Sequence, residues 1–112
     1  MSCIFCKIVK KEIATEIIYE NEELIIVHDI NPQAPVHLLI ISKKHIGTLS
    51  DLKESDSNLA SSMLLAASKM AKKYGIEESG FRFVVNCNKD GGQEVFHLHA
   101  HVIGGKMLGK MC

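Results

Sequence analysis

Apolar residues fall along this chain in two rhythms, one near the helical period and one of strict or near-strict alternation. The helical rhythm occurs twice. Ile4, Phe5, Ile8 and Val9 predict a short helix over Cys3 to Lys10. Leu59, Met63, Ala66, Ala67, Met70 and Tyr74 predict a main helix from about Ser55 to Tyr74, with Gly75 as its stop. The remaining apolar runs are short and rich in β-formers. Glu16 to Tyr19 and Leu24 to His28 predict two strands around the polar Glu20-Asn21-Glu22 turn. Asp29 to Pro35 holds both prolines and predicts a loop, and Val36 to Ser42 a buried strand. Phe81 to Cys87 and Val95 to Gly104 predict the last two strands, joined by a tight loop over Asn88 to Gln93. Short links between strands favour an α+β fold, an antiparallel sheet of five strands with one main helix and a short N-terminal helix.

Size and charge narrow the classes. A chain of 112 residues fits one domain over 1–112, with a small core that dimerisation would enlarge. The 13 basic and 13 acidic side chains balance, and no basic run suggests a nucleic-acid footprint. The apolar stretches are too short to span a bilayer, and the N-terminus lacks the order of a signal peptide. A cytoplasmic chain is expected. There the four cysteines, Cys3, Cys6, Cys87 and Cys112, read as thiols or metal ligands rather than a disulfide framework. Cys87 is expected in the core and Cys112 as an exposed tail thiol.

The candidate chemistry lies in the last predicted strand. His97, His99 and His101 alternate with Leu98, Ala100 and Val102, so the three imidazoles share one face and the apolar residues the other. Such a row wastes packing surface unless the imidazoles act as nucleophile, acid, base or metal ligand. Asp90-Gly91-Gly92-Gln93 just before it can gather backbone N–H groups around an anion, although a plain hairpin turn explains it equally well. His37 lies on one strand face with Leu39 and Ile41 and is placed to meet the triad across the sheet. Asn86 puts a polar side chain beside the glycine loop.

These residues resemble a known family. His97-Leu98-His99-Ala100-His101-Val102-Ile103 is similar to the signature of the histidine-triad superfamily, and Gly91-Gly92-Gln93-Glu94-Val95-Phe96 leads into it as in the histidine triad nucleotide-binding (Hint) branch. The similarity extends to Ile4-Phe5-Cys6-Lys7-Ile8, to the run from His28 through Pro32 to His37, and to Lys43-Lys44-His45-Ile46, nearly the whole chain. His101 stands where the nucleotidyltransferase branch carries glutamine.

The resemblance implies a purine nucleoside phosphoramidase, which cleaves the phosphorus–nitrogen bond of AMP– or GMP–amine conjugates. By matching positions, His99 is implied as the nucleophile that forms a nucleotidyl-imidazole intermediate. His101 and Asn86 would touch the α-phosphate or the catalytic network, and the Gly92 backbone would hold the phosphate. His37 would orient and polarise the catalytic imidazoles, with His97 beside the nucleophile strand. Asp29 would accept hydrogen bonds from the ribose. Ile4, Phe5, Ile8, Val27 and Ile30 would form the base pocket, and Val95 joins the substrate-binding set. Glu94 stands near the leaving group, where animal members carry serine, and the chain lacks their tryptophan-containing tail.

Cys3-Ile4-Phe5-Cys6 suits one zinc ion, which takes four N or S ligands in a tetrahedron. His45 and His97 match the positions that complete such a site in a subset of the superfamily, so the resemblance implies a structural zinc on Cys3, Cys6, His45 and His97. No metal is implied for catalysis. Leu64 and Leu65 lie beside the core stripe of the main helix, and the resemblance implies a homodimer with the sheet extended across two subunits. Three other readings stand beside the phosphoramidase. They are a dinucleoside polyphosphate hydrolase, a metallohydrolase with zinc on His97, His99 and His101, and a nucleotide-binding regulator with incidental hydrolysis.

Overall fold

The structure, a computed structural model, describes residues 3–111. Cys112 lies outside the described residues. Helix α1 (Ile4–Val9) is followed by strands β1 (Tyr19–Glu20), β2 (Leu24–His28) and β3 (Val36–Ser42), helix α2 (Ser57–Lys73), and strands β4 (Phe81–Val84) and β5 (His99–Gly104). The five strands form one sheet in the order β1-β2-β3-β5-β4, antiparallel throughout.

The central strands are nearly continuous apolar runs because both faces of the sheet are covered. Leu24 and Ile26 of β2, Leu38 and Ile40 of β3, and Ala100 and Val102 of β5 pack against Leu59, Met63, Ala67 and Met70 of α2. Ile25, Val27, Leu39 and Ile41 face the other way, onto Phe5 of α1. His37, His99 and His101 belong to this second face, which α1 covers only in part. Residues Leu39 and His101 are register partners, as are Ile41 and His99.

Three strands differ in their bounds from the sequence expectation. Strand β1 is two residues long and starts at Tyr19, not Glu16. Strand β5 starts at His99 rather than Val95, because Gln93 and His97 are tied to other segments. Leu98 donates its N–H to the Ile46 carbonyl and accepts from Ser42 N, beyond the regular ladder. Strand β4 ends at Val84, not Cys87, where the chain enters the turn that closes on Gly91. A Cβ at Gly91 would stand 2.5 Å from the Cys87 carbonyl oxygen, so this approach requires glycine.

The main helix begins two residues later than expected, after a 3-10 turn over Glu54–Asp56. Asp56 there accepts from Lys53 N and from Lys44 Nζ, and these donors hold its carboxyl below the ordinary range, Lys44 first. Gly75 follows the helix with φ of 70°, the left-handed stop its position predicts.

Candidate active site

Each histidine of the triad has one nitrogen fixed by a neighbour, so the partners assign the tautomers. His99 Nδ1 lies 2.7 Å from the His97 carbonyl oxygen. A carbonyl only accepts, so Nδ1 carries the proton and Nε2 keeps its lone pair. His37 Nδ1 accepts from Gln33 N–H at 3.0 Å, which puts the proton of that ring on Nε2. Nε2–H then donates to His101 Nδ1 at 2.9 Å, with Asp29 Oδ2 at 3.3 Å. His101 is left with an N–H at Nε2. The face therefore presents one nucleophilic lone pair, on His99, beside one donor, on His101. The two rings are 5.2 Å apart. With its proton on Nε2, His37 offers no lone pair there to a metal, although Asp29, His37 and His101 lie close together.

Burial pushes the His101 imidazole down to about 4, with the neighbouring His99 and His37 adding to the effect. The unfolded chain therefore binds a proton, between pH values of about 6.5 and 4, that the folded chain refuses. The stability from this group is fully present above about 6.5 and falls as pH drops, by up to about 3 kcal/mol. Urea unfolding between pH 7 and 4.5 should show this decline, and His101→Asn should flatten part of it. An identical slope in the variant would refute the assignment.

A cavity of about 460 Å³ opens in front of His99 and His101. Ile4, Phe5, Ile8 and Val27 form one wall, and Phe5 sets its ring edge-on to His99 at 4.9 Å. Asp29 and Ile30 form a second side; Ile30 is 92% exposed and meets the cavity only at its rim. Asn86, Gly92 and Glu94 line it as well, as does Val95, which packs against the cluster of Phe5 and Val27. His37 stands behind His101, and His97 points away from the cavity into the protein. Ile13, Thr15, His28 and Leu39 also line the cavity and were not singled out from the sequence. Leu39 was accessible to sequence reasoning, since it shares a strand face with His37.

Gln93 was missed as well. Its buried amide donates to the Gly47 and Val95 carbonyls and accepts from Asn88 N–H, tying three segments around the glycine loop. Cys87, expected in the core, instead sits half-buried in the connection after β4. Its sulfur lies 3.2 Å from Ser50 Oγ, and hydrogen bonds from Ser50 first hold the thiol below its ordinary range. The strand ends before it reaches Cys87, so alternation no longer directs that side chain inward.

A second cluster adjoins the triad. Cys3 caps α1, with its sulfur accepting from Cys6 N–H. His97 is fully buried; its Nε2–H donates to the Ser42 carbonyl at 2.6 Å, which leaves the Nδ1 lone pair facing the cysteines. Nδ1 of His97 is 3.3 Å from Cys3 Sγ, 3.5 Å from Cys6 Sγ and 3.1 Å from His45 Nδ1. Cys6 Sγ is 3.1 Å from His45 Nδ1. Bond lengths of about 2.1 and 2.3 Å to nitrogen and sulfur give tetrahedral edges of roughly 3.4 to 3.8 Å. The four separations fall at or a little inside those edges, and all four donor atoms lie within 4.8 Å of one another, so Cys3, Cys6, His45 and His97 could hold a metal ion. Burial lowers His97 and raises the Cys6 thiol, tendencies that a bound cation would oppose at the sulfur.

A sheet that sets a row of histidines against an apolar cavity is the arrangement of the histidine-triad (HIT) family, and the chain belongs to it. The family model described as "Scavenger mRNA decapping enzyme C-term binding" matches residues 2–112. The chain is 42% identical over 108 residues to a purine nucleoside phosphoramidase of Escherichia coli K12, covering 96% of this chain and 91% of that protein. Among solved structures, a HIT family hydrolase from Clostridium thermocellum superposes with a TM-score of 0.95 at 46% identity, over 99% of this chain and 97% of that one. A Zn-bound histidine triad family protein from Mycobacterium smegmatis superposes at 0.82 with 30% identity, over 100% of this chain and 81% of that one.

Proposed function

We propose that this chain is a purine nucleoside phosphoramidase that works through a nucleotidyl-histidine intermediate on His99. The observation that carries the reading is the 2.7 Å contact of His99 Nδ1 with the His97 carbonyl, which assigns the proton to Nδ1 and leaves a lone pair on Nε2 of a ring that lines the cavity. In the first step Nε2 attacks phosphorus, a new N–P bond forms, and the P–N bond to the amine breaks. The amine departs with a proton taken from solvent. In the second step water attacks phosphorus and loses a proton to solvent, the bond to His99 breaks, the electron pair returns to Nε2, and the nucleoside monophosphate leaves. Splitting the displacement in two replaces one poor leaving reaction by two easier ones.

The other roles follow from placement. His101 Nε2–H, held by His37, and the Asn86 amide donate to the phosphoryl oxygens, while the Gly92 N–H is taken by the Lys89 carbonyl at 3.0 Å and shapes the loop beside them. His37 holds the tautomer of His101. Asp29, already engaged by Asn31 N–H at 2.8 Å, keeps acceptor capacity for the ribose hydroxyls. The purine lies against Ile4, Phe5, Ile8, Val27 and Ile30, joined by Val95, which packs against the same apolar cluster. Zinc on Cys3, Cys6, His45 and His97 would be structural, since all four positions are filled by protein. It would pin α1 against the sheet and leave the chemistry to the imidazoles.

The reading has the chain acting as one domain over 1–112, in the cytoplasm, where the thiols stay reduced. It also has the chain as a homodimer, through the exposed Leu64 and Leu65 of α2 and the free edge of β4. Sedimentation at micromolar concentration should then give twice the chain mass of 12.4 kDa. Among the described residues, no helix is long and apolar enough to cross a membrane. The central test is AMP release from adenosine 5′-phosphoramidate, with a diadenosine polyphosphate in parallel. Release from the first supports the phosphoramidase. Cleavage of the polyphosphate alone would transfer the chain to the neighbouring hydrolase branch, and inactivity on both would leave a nucleotide-binding module.

A further inference from the structure

We infer that Glu94 sorts substrates by the charge of the leaving group, so that the site favours nucleoside phosphoramidates whose amine carries a second, positively charged nitrogen. The inference rests on the phosphoramidase reading and adds to it the class of amine. Three observations carry it.

The first is the charge inventory of the cavity. Among the described residues, its lining holds two carboxylates, Asp29 and Glu94, and no lysine or arginine. A site for a polyanion would need cations to offset the phosphoryl charges. This one has only neutral donors near the phosphate position, so it suits a phosphorus centre with a single negative charge.

The second is that the two carboxylates are not equivalent. Asp29 accepts from Asn31 N–H and lies within 3.3 Å of His37 Nε2. Glu94 is exposed and makes no hydrogen bond or ion pair among the described residues. It is the free acidic group of the cavity.

The third is direction. The apolar wall takes the base and Asp29 the ribose, which brings phosphorus to His99. Of the lining left to a group attached beyond phosphorus, the segment that carries Gly92 and Glu94 supplies the charged side chain. An ammonium on that tail would meet the free carboxylate and balance the phosphoryl charge. A carboxylate on the tail would be repelled.

The test compares kcat/KM of the purified full chain on three adenosine 5′-phosphoramidates. Their amines are 1,4-diaminobutane, butylamine and 4-aminobutyrate, which differ only in the terminal group. The wild type should prefer the ammonium-ended over the methyl-ended substrate by roughly two- to fivefold at low salt, with the carboxylate-ended one below both. Added salt should shrink the spread. Glu94→Gln should bring the first ratio to about one, and Glu94→Lys should move the preference to the carboxylate-ended amine. Each ratio is taken within one protein sample, so an altered folded fraction cancels. A wild-type ratio of one, or a preference that survives Glu94→Gln, would overturn the inference while the phosphoramidase reading stands. Hydrolysis of none of the three, nor of the unsubstituted phosphoramidate, would remove both.

Discussion

His99→Ala should lower kcat/KM for adenosine 5′-phosphoramidate by about four orders of magnitude, with little change in nucleotide binding. The size follows from what is lost. Without the imidazole no covalent intermediate forms, and water would have to displace the amine directly. On the proposed roles the donors on His101 and Asn86 remain, so the variant should still hold the phosphate and keep a residual rate. His99 is 8% exposed at the head of β5, and its removal opens space beside Phe5. Melting curves must therefore accompany the kinetics. Rapid acid-free quenching and mass analysis of the wild type should also catch an adduct of one nucleotidyl group, absent in the variant. Turnover within tenfold of wild type in a folded His99→Ala protein would rule out the covalent route.

The second large effect concerns the metal cluster. Protein purified without chelator should carry one zinc per chain. Cys3→Ser combined with Cys6→Ser should remove it and lower the Tm by roughly 10 °C or more. Helix α1 makes few contacts beyond Phe5, Ile8 and Val9, so the four-point metal tether would provide much of its attachment. Activity at 25 °C should fall by less than about tenfold, because the His97 carbonyl that sets the His99 tautomer is main chain. The split between a large loss of Tm and a small loss of rate separates this site from a catalytic zinc on the triad, where chelation would abolish turnover. Metal-free protein with an unchanged Tm in the serine variant would exclude a structural zinc.

The face of the sheet that gathers His37, His99 and His101 could be read from spacing alone. His37, His99 and His101 each sit in a two-residue rhythm with apolar partners, and the observed register joins them across β3 and β5. The extent of the strands was less legible, because their ends are set by distant groups. His97 keeps the alternation but leaves the ladder, with its side chain turned to a cluster built from α1 and the segment after β3. Gln93 binds Gly47, 46 residues away, a pairing with no local trace in the sequence. Cys87 illustrates the same limit. Its apolar run predicts a core position, but the approach of Gly91 ends β4 early and leaves the thiol among hydroxyls.

His97 belongs to both parts of the site through different atoms. Its ring faces the cluster of cysteines, while its carbonyl accepts from His99 Nδ1. The two duties are therefore separable in descent. A lineage can discard the cysteine pair, or alter the ring at this position, and still inherit a correctly protonated His99, since every residue type supplies a carbonyl. The cysteine cluster and the face of His99 and His101 can drift apart between relatives without the His99 tautomer being lost.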